Sequence, residues 1–127
     1  MIIAIKPALP KTADIAKCIF AAICDSDYLD VDIEIEVEPT LDIEAEMYPT
    51  DDNTYVIVLR DDTIEHIRTT LAHELTHVHQ YVRGDLVEDD HGRMFWKGKY
   101  INTSEVPYRE LPWEIEAYQQ EKLYENI

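Results

Sequence analysis

The sequence predicts an α+β fold, and three features carry that prediction. Residues 31–60 alternate or run as strands, amphipathic helices flank them on both sides, and a further helix opens at Leu111-Pro112-Trp113 after a short hairpin. The predicted order is an N-terminal helix, a small mostly antiparallel sheet, a helix bearing His73-Glu74-Leu75-Thr76-His77, a short hairpin and a C-terminal helix. The chain has 127 residues and reads as one domain over 1–127, long enough to bury a core without disulfides or metal staples.

Residues 1–6 (MIIAIK) read as a short strand that stops before Pro7. From Pro10 to Asp25, Ile15, Ile19, Phe20, Ala22 and Ile23 recur at helical spacing, and Asp25-Ser26-Asp27 reads as the following turn. Val31 to Glu38 alternates Val31, Ile33, Ile35 and Val37 with acids. Leu41 to Met47 alternates Leu41, Ile43, Ala45 and Met47 with Asp42, Glu44 and Glu46. With Pro39-Thr40 between them, these two segments are expected to form a hairpin whose outer face carries seven carboxylates. Thr50 to Asn53 is a polar turn, and Thr54 to Arg60 is a third, more continuously apolar strand.

The helix from Asp62 to Gly84 is the best specified element. Asp62 followed by Glu65 resembles a capping box, and Gly84 supplies a C-terminal stop. Ile64, Ile67, Leu71, Leu75, Val78 and Val82 form one apolar stripe. A polar loop is expected over 85–92, a hairpin around Trp96, Gly98 and Tyr100, and a loop over 102–109. Pro112 suits the first helical position of the last helix, followed by acids in the first turn.

The net charge is −16, from 27 acids against 11 bases. That charge argues against partners held through phosphate, whether nucleic acid or an anionic membrane surface. The acidic hairpin face reads as a solvated surface, with a basic partner or a divalent cation as the alternatives. Cys18 and Cys24 lack zinc-type spacing and read as buried helix residues of a reduced, cytoplasmic protein. The N-terminal apolar run is too short for a secretion signal, and none of the apolar runs reaches membrane-spanning length.

His73 and His77 are four residues apart, one helical turn, so their imidazoles can converge on one ion. Glu74 sits at the edge of that face, where it can act on a metal-bound water without ligating. A catalytic zinc needs a third protein ligand. On a wheel of the last helix, Glu116 shares a face with Trp113, Ala117, Gln120, Leu123 and Tyr124, whereas Glu114 falls with Tyr118, Glu121 and Glu125. Glu116 is therefore the acid expected to point inward, as a ligand or as half of an ion pair. His91 is the rival third ligand, in a loop able to fold back. His66 lies about 10 Å from His73 along the axis, too far to share the ion.

The HELTH segment resembles the zincin metallopeptidase motif. Gln80 and Arg83 stand where the metzincin branch has Gly and His. Pro112-Trp113-Glu114-Ile115-Glu116-Ala117 is similar to the second ligand helix of small gluzincins, which implies Glu116 as third ligand, with Gln120 where that group often orients the first histidine with an acid. The wider pattern, over about residues 62–120, is similar to small phage and bacterial metallopeptidases. His91-Gly92-Arg93-Met94-Phe95 also resembles the ligand stretch of SprT-like metalloproteases. The resemblance implies a zinc-dependent peptidase with a peptide or protein substrate and Glu74 as general base. His91, Tyr100, Tyr108 and Arg93 are candidate oxyanion donors, and strand 55–59 is the expected substrate-pairing edge. The alternatives are a non-catalytic metal-binding domain that engages a basic partner through its acidic face, and a zinc hydrolase acting on a non-peptide amide.

Overall fold

The structure is a computed structural model that describes residues 2–6, 10–24, 31–50 and 54–124. The expected turn at 25–27 and the centre of the polar turn at 51–53 lie outside the described residues. The chain runs β1 (Ile2–Lys6), α1 (Pro10–Cys24), β2 (Asp32–Val37), β3 (Ala45–Pro49), β4 (Thr54–Leu59), α2 (Ile64–Val82), β5 (Leu86–Glu88), β6 (Met94–Trp96), β7 (Lys99–Ile101), a single 3₁₀ turn (Tyr108–Glu110) and α3 (Pro112–Tyr124). The α+β class with three helices is as expected, while the short hairpin expected after the first sheet is part of a second, three-stranded sheet.

The pairing of the strands differs from the expected hairpin. The first sheet has the order β1-β2-β4-β3, with β1, β2 and β4 parallel and β3 antiparallel to β4. Taken with the second sheet, β5-β6-β7, three of the five pairings are antiparallel. Alternation reports which face of a strand is buried, not which strand lies beside it. Charge explains the outcome. A β2–β3 hairpin would set carboxylates opposite carboxylates, which is destabilising. In the observed register Glu34 lies opposite Val56, and Glu36 and Glu46 both oppose Val58. The strand β4, buried at five of its six positions, is the central strand that its continuous apolar run permits.

Residues 41–44 stay outside β3, and Ile43 is 49% exposed, so the second alternating segment is a strand only from Ala45. Pro49 ends β3 at the sheet edge, where a missing N–H is tolerated.

One core joins α1, α2 and one face of the first sheet. Ile19 and Phe20 from α1 meet Ile33, Ile35, Ile57 and Leu59 from the sheet and Ile67, Leu71, Leu75 and Val78 from α2. The apolar stripe of α2 therefore packs as its spacing predicts. Thr63, rather than Asp62, caps this helix by accepting the His66 N–H, while Asp62 accepts the N–H of Thr63. Gly84 takes φ +83° just past the C-cap, as expected of the stop. Cys18 is exposed, contrary to expectation, because α1 turns Ala16, Ile19 and Phe20 inward instead.

The second sheet includes a strand, β5, in the stretch expected to be loop. Its β6–β7 hairpin turns on Lys97 (φ 50°) and Gly98 (φ 82°), the two positive-φ positions of a type I′ turn. Leu86 from this sheet joins Leu111 and Trp113 in a second apolar cluster, with Trp96 and Met94 packed against it. That cluster anchors the start of α3. Among the described residues, no helix is long and apolar enough to cross a membrane.

Truncation tests this partition of the core. Leu71→Ala is expected to lower stability by about 2–5 kcal/mol in urea denaturation. Ile43→Ala is expected to change it by less than about 0.5 kcal/mol. A large loss at Ile43 would restore the longer strand.

Candidate metal centre

Two helices build the site. Because α2 packs its apolar stripe on the sheet, His73 and His77 are turned towards α3. Both are nonetheless buried, at 7% and 8% exposure, because α3 covers them. The residue that meets them is Glu114. Its Oε1 lies 2.8 Å from His73 Nε2, and its Oε2 lies 3.2 Å from His77 Nε2. The ligand-capable atoms of His73, His77 and Glu114 all lie within 4.8 Å of one another.

Glu116 does not face the histidines. It accepts hydrogen bonds from Arg83 at 2.6 Å and from the Gln80 side-chain amide at 2.9 Å. The wheel grouped the residues of α3 correctly, since Glu114, Tyr118 and Glu121 do share a face. The buried strip of α3 runs between the two groups, through Trp113, Glu114 and Ala117, and the ion pair with Arg83 holds Glu116 at its flank. His91 is exposed in its loop, where its backbone N–H donates to Asp89.

Each histidine is oriented through its second ring nitrogen. His73 Nδ1 lies 3.0 Å from Glu121 Oε1. His77 Nδ1 donates to Gln80 Oε1 at 2.8 Å, and the fully buried Gln80 donates in turn to the Trp113 carbonyl at 2.9 Å. These contacts fix ring orientation and leave both Nε2 atoms directed at one point. The sequence signals for them are spacings: Glu121 lies seven residues after Glu114, two turns on the same face, and Gln80 lies three after His77. Gln120, the expected orienting residue, does neither job.

The electrostatics follow from burial and proximity. Burial works to raise the Glu114 pKa, but hydrogen bonds from His73 and His77 and their positive charge outweigh it and hold it down at about 2. Burial opposes protonation of His77, yet the Glu114 contact and the Glu74 charge leave its pKa raised. Glu74 is raised mainly by burial, against the pull of both histidines. Tyr108 is raised by burial, by the Glu114 charge and by its hydrogen bond to Glu114.

Glu74 and Tyr108 both line the cavities that flank the site. Of the other expected oxyanion donors, Arg93 is paired with Asp89 at 2.6 Å, Tyr100 packs at a tilt against Phe95 in the second sheet, and His91 is in the loop. The cleft is bordered by β3, since Ala45, Glu46 and Met47 line it. The strand 55–59, expected to be the bordering edge, is interior to the sheet. His66 lines one cavity wall with its Nε2 3.2 Å from Glu44, which agrees with its exclusion as a ligand.

Two imidazoles and one carboxylate, oriented from behind and beside a cavity, are a donor set that could hold a metal ion. No protein-family model matches the chain, and neither a curated protein nor a solved structure matches it.

The same contacts predict a pH window for the metal-free protein. The lowered Glu114 pKa contributes stability that is present above about pH 4.5 and is lost as pH falls towards 2. The raised His77 pKa contributes stability that is present below about pH 6.5 and is lost as pH rises through the folded value. Melting temperature in a chelator is thus expected to be highest between those limits. Zinc is expected to move the optimum upward, because ligating imidazoles must be neutral. An optimum unmoved by zinc would contradict the arrangement.

Proposed function

We propose that the protein is a zinc-dependent metallopeptidase with a zincin-like, gluzincin-type site. The observation that carries this reading is the convergence of His73, His77 and Glu114, with Glu74 beside them in a cleft bordered by a free strand edge. Zinc held by these three side chains would supply Lewis acidity at the scissile carbonyl and lower the pKa of a water.

Glu74 then takes the proton of the attacking water and passes it to the leaving amine. Its burial suits that work, because a carboxylate of raised pKa is the stronger base. Tyr108 donates its hydroxyl proton in a hydrogen bond to the oxygen that gains charge. An extended substrate pairs with the outer edge of β3. Glu121 and Gln80 hold the imidazoles in place. The exposed, free thiol of Cys18 suits a reducing, cytoplasmic setting.

Metal analysis with a denatured protein as substrate tests the proposal. Wild type and Glu74→Gln are expected to bind one zinc each, with cleavage reduced by about 10²–10⁴-fold in the variant. Glu114→Ala is expected to lose zinc, and Glu116→Ala to keep it. Zinc lost from Glu116→Ala alone would overturn the ligand set. Zinc bound by wild type with no cleavage of peptide or protein would favour a non-catalytic metal-binding domain.

A further inference from the structure

The cleft differs in chemistry on the two sides of the metal centre. Two cavities, of about 340 and 270 Å³, flank the site along β3 and share Ala45, Glu74 and Tyr108. The cavity on the His73 side is polar, with Glu44, His66, Thr69, Thr70 and Glu121 in its wall. The cavity on the His77 side has Glu46 and Glu114 in its wall, together with a strip of large apolar side chains, Met47, Tyr81, Leu86, Met94 and Trp113, that the other cavity lacks.

This apolar wall continues outward. Tyr81 and Leu86 also line a third depression of about 540 Å³, completed by Tyr48 and Tyr55 from the first sheet and Val87 from the second. It lies between β3 and β5, each an edge strand of its own sheet among the described residues. Tyr48 and Val87 are 43% and 46% exposed, so the outer part of the groove presents large apolar surface to solvent.

The rims carry the opposite character. Glu44, Glu46 and Glu88 stand along the three depressions, and the lysines and arginines of their walls come down to Arg109, on the His73 side and stacked 4.4 Å over Tyr118. An extended chain presents successive side chains to opposite sides. A segment lying along β3 therefore directs alternate residues into the apolar groove and those between them towards acidic rims.

We propose that the cleft selects an extended peptide that carries large apolar or aromatic side chains on the His77 side of the centre, interleaved with cationic residues. This rests on the metallopeptidase reading for its position, since the groove is continuous with the metal centre, and it adds the class of substrate.

The full chain, loaded with zinc, provides the test. Cleavage-site preference is read for wild type on a peptide library, and binding of labelled peptides is read separately for Glu74→Gln. Peptides alternating Phe or Leu with Lys are expected to bind about tenfold or more tightly than those with Ser in place of the apolar residues. Replacing Lys by Glu in the same peptides is expected to weaken binding by a similar factor, less so at high salt. Tyr48→Asp with Val87→Asp is expected to remove the apolar preference, and Glu46→Lys to weaken the cationic one, both with zinc content unchanged. Preferential binding by Glu74→Gln without cleavage by wild type would overturn the peptidase reading and leave the groove assignment standing. Cleavage or binding with no such preference, or no peptide binding at all, would overturn the groove assignment.

Discussion

The carboxylate of Glu114 between two imidazoles is the interaction on which the arrangement of this protein depends. A carboxylate 4% exposed is costly unless its charge is compensated and its oxygens are bonded. Here each oxygen faces a different histidine on α2. Removing one member of such a buried group leaves an uncompensated charge, at a cost of about 3–5 kcal/mol. The contact therefore holds α3 against α2 at one spacing and one rotation, and everything else in the cleft is referred to it.

Apolar packing alone would not set that rotation. Ile115 and Leu123 of α3 are 44% and 68% exposed, while Trp113 and Ala117 are buried, so its apolar residues do not form one inward stripe. Fixed points at its N-terminus do the work. Trp113 is held in the cluster with Leu86 and Leu111, its ring 6.4 Å from Trp96. Its carbonyl accepts from Gln80, the residue that also orients His77. Arg83 pairs with both Glu116 and Asp85, and its guanidinium lies 5.7 Å from the Trp96 ring. The second sheet is thus an abutment for α3, and through α3 it helps to position Glu114.

This division explains what could be read from the sequence. The elements were legible because their signals are local: the stripe of α2 and the His73–His77 pair follow from the 3.6-residue period, and the Gly84 stop and the hairpin around Trp96, Gly98 and Tyr100 from glycines able to take positive φ. Relations between elements were less so. The acidic alternation of β2 did not reveal that β4 lies beside it, although repulsion between opposed carboxylates argues against the hairpin. Apolar patterning does not choose between Glu114 and Glu116, because both border the buried Trp113 and Ala117. The seven-residue step from Glu114 to Glu121 was the available signal, since it places two acids on one side of α3 with Tyr118 between them.

Charge balance also constrains how the centre can work. Glu74, Glu114 and Glu121 stand around two imidazoles, with Arg109 acting on Glu121 and with Glu44 and Glu46 nearby on the β3 side. Burial raises the proton affinity of Glu74, while the histidine charges lower it. A divalent cation at His73, His77 and Glu114 would act in the same sense as the histidine charges, since it favours the ionised form of a neighbouring acid. The basicity of Glu74 in the proposed reaction is therefore set by two opposed quantities, the dryness of its position on α2 and the charge of the centre beside it. Tyr108, which lines both cavities, is coupled to the same balance, since burial and the Glu114 charge both raise its hydroxyl pKa. Glu114, Glu74 and Tyr108 thus form one electrostatic unit, held by the rotation of α3.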